Sequence, residues 1–122
     1  MELSEIYKTL NGDYDSALRR LRKEERVKKY LLMFLNYEYD STITKLIEQE
    51  DYETAFREAH DLKGICANLS LDVLGCIASY ITESLRPGKM TSKDFDIKET
   101  LEDLKKEYQK TVDAIKKLQE IR

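Results

Sequence analysis

The single histidine of the chain, His60, lies three residues before Lys63 and four before Gly64. On a helix, residues three and four positions apart share one surface, so this spacing places a cation and a glycine beside the imidazole. An imidazole nitrogen can act as a nucleophile near neutral pH, and a phosphoryl group attached to it would carry a charge of about -1.5 to -2. Lys63 could neutralise part of that charge. The three residues together indicate a phosphate carrier.

The helix that would carry His60 has one apolar stripe, formed by Ala55, Ala59, Leu62, Cys66 and Leu69. At about 100° per residue, His60 lies about 160° from Leu62, so burial of Leu62 turns the imidazole towards solvent. Because Ala59 is only one position away, we expect partial exposure, with the ring against the edge of the fold.

Gly64 is the second unusual residue on this surface. A glycine inside a helix costs roughly 1 kcal/mol relative to alanine, so its place beside His60 asks for a reason other than helix formation. Gly64 and the small Ala67, one turn further on, would let a partner with an acidic acceptor reach the imidazole. We also expect Phe56 and Arg57, on the preceding turn, to contact that partner.

The composition favours helices as the elements that position these residues. Hydrophobic residues make up 41% of the 122 residues and charged residues 37%, with one proline and four glycines. Few chain breakers in a charge-rich sequence are typical of long amphipathic helices. We predict an all-α fold, with an antiparallel four-helix bundle core and a short additional N-terminal helix. The length predicts one domain, residues 1–122.

Turn and cap signals divide the first half of the chain. Asn11-Gly12 is a turn signal, after which Asp13 can cap a short helix that extends to Leu21. Residues 24–49 contain neither glycine nor proline, and the run 30–35 is apolar almost all round. We predict one long helix there, deeply packed near its start. A looser apolar stretch precedes these elements, at Leu3, Ile6 and Leu10.

The second half contains three further boundaries. Asp51 can cap the helix that carries His60, and a bend is expected at Asn68-Leu69-Ser70, where Asn and Ser side chains can bond to local backbone. Pro87-Gly88 ends the next helix. Asp96, with Glu99 three residues later, has the spacing of a capping box for the last helix.

Charge and hydropathy exclude several function classes. The net charge is -3 and no segment concentrates Lys and Arg, so nucleic acid is not expected as a partner. The longest apolar run, 30–35, is far below the ~20 residues that cross a bilayer, and the N-terminus lacks the features of a signal peptide. We therefore expect a cytoplasmic protein without a membrane association.

Metal, disulfide and nucleotide chemistry are not expected either. Cys66 and Cys76 form no CxxC pair and no ligand group with His60, and we expect two reduced thiols in the core. Glu58 lies two residues from His60, which is not the Glu-x-x-His spacing of a di-metal bundle. The glycines are scattered singly, so a kinase with a Gly-rich phosphate loop is excluded.

The residues around His60 resemble the histidine-containing phosphotransfer domain of multistep two-component phosphorelays. Ala59-His60-Asp61-Leu62-Lys63-Gly64 is similar to the alanine-histidine-x-leucine-lysine-glycine signature of that family, and Ala67-Asn68-Leu69 continues its pattern. The resemblance spans most of the chain, although only the signature is highly specific. Ser70 stands where many members have a glycine.

The resemblance implies reversible phosphoryl exchange between His60 and the aspartate of a response-regulator receiver domain. It also implies an upstream hybrid sensor histidine kinase as the source of the phosphoryl group. Lys63 would assist the phosphate, and Gly64 would leave room for docking. The receiver would supply any Mg²⁺, so we expect no cofactor in this chain, which would be a monomer without kinase activity. The alternative is a non-phosphorylated helical adaptor that binds and occludes a partner, with His60 as an ordinary contact residue.

Overall fold

A computed structural model of the protein describes residues 2–87 and 97–118. These residues form seven α-helices: α1 (Leu3–Leu10), α2 (Tyr14–Leu21), α3 (Glu24–Phe34), α4 (Tyr39–Glu48), α5 (Tyr52–Leu69), α6 (Asp72–Leu85) and α7 (Lys98–Lys116). The predicted all-α fold is confirmed.

The four walls of the bundle are α5, α6, α7 and the consecutive pair α3 and α4. The most extensive packing is between α5 and α6, while α4 packs on α5 and both α3 and α4 reach α7. Short connections join α4 to α5 and α5 to α6, which makes these neighbours antiparallel. One hydrophobic core takes residues from all seven helices, so α1 and α2 belong to the same packed unit.

The N-terminal apolar stretch forms a helix of its own, because its apolar residues occupy one face. Leu3, Ile6 and Leu10 are all buried. The additional N-terminal part of the fold therefore consists of two helices, α1 and α2, rather than one.

The predicted single helix over residues 24–49 is wrong. α3 ends at Phe34 and α4 begins at Tyr39. The Tyr108 hydroxyl of α7 donates to the Tyr37 carbonyl oxygen at 3.1 Å and accepts from the Tyr39 N–H at 3.2 Å. The Tyr108 ring also packs on Phe34, with centroids 4.9 Å apart. A residue distant in sequence thus satisfies the backbone groups that the break exposes.

The predicted bend at the end of α5 is confirmed, and the N-terminal helices hold it. Ser70 adopts a left-handed conformation with φ 51°, which terminates the helix. The Tyr7 hydroxyl donates to the Leu69 carbonyl oxygen at 2.7 Å. Arg20 donates to the Asn68 carbonyl oxygen at 2.9 Å and to the Ser70 hydroxyl at 3.1 Å. The junction between α5 and α6 is therefore fixed from outside both helices.

Two predicted caps are present. Asp13 Oδ1 accepts from the Ser16 N–H at 3.0 Å at the start of α2, and Asp51 Oδ1 accepts from the Thr54 N–H at 3.3 Å at the start of α5. A Cβ at Gly12 would approach the Ser70 carbonyl oxygen to 2.7 Å, so the predicted turn requires a glycine there.

The two remaining boundary signals lie at the edge of the described residues. α6 ends at Leu85, shortly before Pro87, and Gly88 lies outside the described residues. α7 begins at Lys98, and the predicted cap Asp96 also lies outside them.

The prediction of two core thiols is correct for Cys66 and wrong for Cys76. Both thiols are free, but Cys66 is buried and Cys76 is exposed. Leu74 and Ala78 set the buried face of α6, and Cys76, two residues from each, points away from it. Burial raises the pKa of the Cys66 thiol to about 12, which leaves it protonated and unreactive.

Candidate functional site

His60 lies in the middle of α5 with its side chain in solvent. Its neighbours Ala59 and Leu62 have no exposed surface, whereas His60 is exposed. Because these three positions belong to one continuous helix, burial of Leu62 places the imidazole on the outer side. The orientation follows the helical phase that the sequence predicts.

The surface that continues from His60 along α5, which we call the His60 row, consists of His60, Lys63, Gly64 and Ala67. Gly64 and Ala67 are exposed. Among the described residues, a Cβ at Gly64 would have no neighbour within 4 Å, so packing within this part of the chain does not explain the glycine. At Gly64 and Ala67 the helix therefore presents an open surface without bulky side chains next to the imidazole.

Lys63 supplies a positive charge to this row. Its side chain is half-buried, which is consistent with an aliphatic stem along the helix and an ammonium group towards water. Across residues 2–87 and 97–118, Lys63 takes part in no ion pair. Its charge is thus available to an incoming anion.

Phe56 and Arg57 precede His60 by about one turn. Phe56 is half-buried, and its ring centroid lies 6.1 Å from that of His60. Arg57 is exposed, with Nη2 3.5 Å from the Thr54 hydroxyl. Both side chains therefore lie on the turn of α5 next to the imidazole.

Glu83 of α6 and Arg86, which directly follows that helix, join this arrangement. The Arg86 guanidinium carbon lies 5.4 Å from the centroid of the Phe56 ring, over its face. Arg86 also forms a two-point ion pair with Glu83, with Nη2–Oε2 2.6 Å and Nε–Oε1 3.2 Å. The site therefore spans α5 and α6, whereas the sequence motif lies on α5 alone.

The family model for the Hpt domain, the histidine-containing phosphotransfer domain, matches residues 36–118. The chain belongs to the Hpt family. The matched region contains α4 to α7 and with them the whole His60 row. Hpt domains are phosphotransfer modules that interact with receiver domains and kinases in phosphorelays. No curated protein and no solved structure matches the chain at a significant level.

An apolar groove of about 450 Å³ lies next to the His60 row in this Hpt domain. It runs between α3 and α5, and its α5 wall includes Ile65 and Asn68, each one position after a member of the row. Its other wall contains three large exposed side chains, Tyr30 (41%), Met33 (39%) and Tyr37 (42%). The groove thus extends the open surface beside His60.

Arg86, Glu83 and this groove were not predicted from the sequence. The deep packing predicted for the run 30–35 is correct at Leu31 and Phe34 and wrong at Tyr30 and Met33, which are exposed. The run 30–35 is apolar on more faces than one helix can bury, and this was the signal that some of its side chains would be exposed. Arg86 carries no such signal, because only the pairing of α5 with α6 brings it to Phe56.

Metal-ligand groups and membrane-spanning helices are both absent from the described part of the Hpt domain. There, no group of three or more His, Cys, Asp or Glu side chains is placed to hold a metal ion. Among the described helices, none combines the length and the apolar character needed to cross a membrane.

Proposed function

We propose that this Hpt domain is a phosphorelay intermediate whose His60 exchanges a phosphoryl group with the aspartate of a response-regulator receiver domain. The observation that carries the proposal is the exposed imidazole of His60, with the bare backbone of Gly64 and the cation of Lys63 beside it, the latter without an ion-pair partner among the described residues. An exposed nucleophile with open surroundings suits transfer between two proteins.

In this proposal, an imidazole nitrogen of His60 attacks the phosphorus of the aspartyl phosphate. The N–P bond forms as the P–O bond to the aspartate breaks, and the carboxylate leaves with the electron pair. The reverse reaction returns the phosphoryl group to an aspartate. Lys63 offsets part of the dianionic charge while the group resides on His60.

The proposed docking face consists of Gly64, Ala67 and Arg57, with Phe56 at its edge. The groove lined by Tyr30, Met33 and Tyr37 would widen this face with apolar area, which is typical of the centre of a protein interface. The receiver would contribute its acidic pocket and any Mg²⁺.

The remaining parts of the proposal rest on the sequence. The chain has no Gly-rich phosphate loop, so we expect it to receive phosphoryl groups from a hybrid sensor histidine kinase rather than to generate them. A single domain over residues 1–122, a monomeric state and a cytoplasmic location are parts of the same proposal. The alternative, a non-phosphorylated adaptor, would be favoured by a buried histidine, and His60 is exposed.

The test incubates the protein with a phosphorylated receiver domain and measures phosphate that is acid-labile and base-stable. We expect label on the wild type and none on His60→Gln. Lys63→Ala should slow transfer roughly tenfold, because one charge-assisted contact to the phosphoryl group is lost. Helicity by circular dichroism should stay unchanged.

Lys110→Ala is the matched control, since Lys110 is an exposed lysine of α7. Its transfer rate should equal that of the wild type. If the wild type accepted phosphate from none of its cognate receivers, the proposed function would be contradicted.

A further inference from the structure

The contact between Phe56 and His60 restricts the imidazole from one side. The two rings lie on successive turns of α5, with centroids 6.1 Å apart and planes tilted by 40°. This is within the range at which aromatic rings attract each other in tilted arrangements. Phe56 is half-buried and packs against the core, whereas His60 is exposed. The exposed imidazole therefore adjoins a ring that the bundle partly holds.

Arg86 holds Phe56 from the neighbouring helix. Its guanidinium lies over the Phe56 ring, a cation–π arrangement. The two-point pair with Glu83 sets the orientation of the guanidinium plane. The side chains of this pair are 43% and 45% exposed, so the pair itself adds little to the stability of the fold. What the pair does for the site is to hold the Arg86 guanidinium over the Phe56 ring.

We propose that Phe56 is a positioning residue for the imidazole of His60, and that Arg86 holds Phe56 in place. The inference rests on the phosphotransfer role proposed above. In-line transfer requires the attacking nitrogen to point at the phosphorus from about 3–3.5 Å. Contact with Phe56 removes part of the rotational freedom of His60 before docking, so it acts on the transfer step within the complex.

Single-turnover kinetics separate positioning from docking. A phosphorylated receiver is mixed with increasing excesses of wild type, Phe56→Leu or Phe56→Tyr, which gives a maximal transfer rate and a half-saturating concentration. We expect Phe56→Leu to lower the maximal rate about tenfold and to change the half-saturating concentration by much less, because Phe56 lies only at the edge of the proposed docking face. Phe56→Tyr keeps the ring and should retain the rate. A change confined to the half-saturating concentration would make Phe56 a docking residue and overturn the inference.

The imidazole resonances provide a readout that does not depend on phosphorylation. His60 is the only histidine of the chain, so its ring protons can be assigned in an NMR spectrum without ambiguity. Phe56→Leu should shift them, because the ring current of Phe56 is lost. Tyr80→Leu, a control at an exposed aromatic residue of α6, should not. Unchanged resonances in Phe56→Leu overturn the inference, whereas a wild type that accepts no phosphate overturns only the phosphotransfer role.

Arg86→Met tests the second half of the inference and leaves Phe56 in place. It removes the cation from the Phe56 ring and the pair with Glu83, and we expect a maximal rate lower by about two- to fivefold. Arg19→Met, at an exposed arginine of α2, is the matched control and should transfer as the wild type does. A wild-type maximal rate in Arg86→Met would remove Arg86 from the site.

Discussion

Two rows of α5 face opposite sides of the helix and are subject to different constraints. The buried row consists of Ala55, Ala59, Leu62, Cys66 and Leu69. The His60 row is exposed at three of its four positions and contains a glycine that no internal contact requires. Packing accounts for the buried row, whereas the His60 row includes a residue that weakens the helix. Substitutions should therefore change stability in one row and transfer in the other.

Leu62→Ala should have the largest effect on stability. Leu62 has no exposed surface, and its truncation leaves a cavity that costs about 2–5 kcal/mol of the free energy of unfolding. Urea unfolding measures the loss. Although Leu62 is only two residues from His60, the transfer rate per folded molecule should stay close to that of the wild type. A loss of less than about 1 kcal/mol would contradict the assignment of Leu62 to the core.

Tyr7→Phe should have an intermediate effect, because it removes the hydrogen bond that holds the end of the buried row. The Leu69 carbonyl oxygen loses its 2.7 Å partner in a buried site, which should cost about 1–3 kcal/mol in the free energy of unfolding. The residues of the His60 row remain unchanged, so transfer per folded molecule should persist.

The same residue predicts a pH dependence. Burial raises the pKa of Tyr7 above its ordinary value of 10.0, so the unfolded chain ionises first as the pH rises. The contribution of Tyr7 to stability is complete below pH 10 and is lost progressively above it. When the pH is raised from about 9 to about 11, the free energy of unfolding of the wild type should therefore fall by more than that of Tyr7→Phe. Parallel pH profiles would mean that Tyr7 is not buried in solution.

Gly64→Ala should have the smallest effect on stability, and in the opposite direction. Since a Cβ at Gly64 meets nothing within 4 Å, the variant should gain up to about 1 kcal/mol from helix propensity. Transfer from a phosphorylated receiver should nevertheless become slower, because the added methyl group stands beside the imidazole.

Gly75→Ala is the matched control for this gain. A Cβ at Gly75 would lie 3.2 Å from the Cβ of Cys66, so this variant should gain less stability than Gly64→Ala. It should leave transfer unchanged, because Gly75 contacts the buried row. Wild-type transfer kinetics in Gly64→Ala would show that the glycine is not needed for docking.

The two helix junctions show how far local patterns predict this fold. The bend after α5 is predicted at Asn68 and Ser70, whose side chains were expected to bond to local backbone. Its place is correct, but the Ser70 hydroxyl accepts from Arg20 of α2 instead. The break after α3 is not predicted, since no glycine or proline marks it and its backbone groups bond to Tyr108 of α7. A local pattern contains no information on a partner so distant in sequence.

The candidate site also has a part that local sequence patterns predict and a part that they do not. The exposure of His60 and its proximity to Lys63 and Gly64 follow from the helical repeat alone. The place of Arg86 over Phe56 and the groove beside Tyr30 depend on which helices pack together. The exposure of Cys76 could have been predicted from the sequence, because Leu74 and Ala78 already set the buried face of α6.

The sequence by itself determined the all-helical class, the caps of α2 and α5 and the outward direction of His60, because each depends on interactions within one or two helical turns. Only the tertiary structure decided where the predicted long helix breaks, how α1 and α2 hold the end of α5, and which α6 residues reach the site. These features depend on contacts between residues far apart in sequence, whose geometry exists only after the helices have packed around one core.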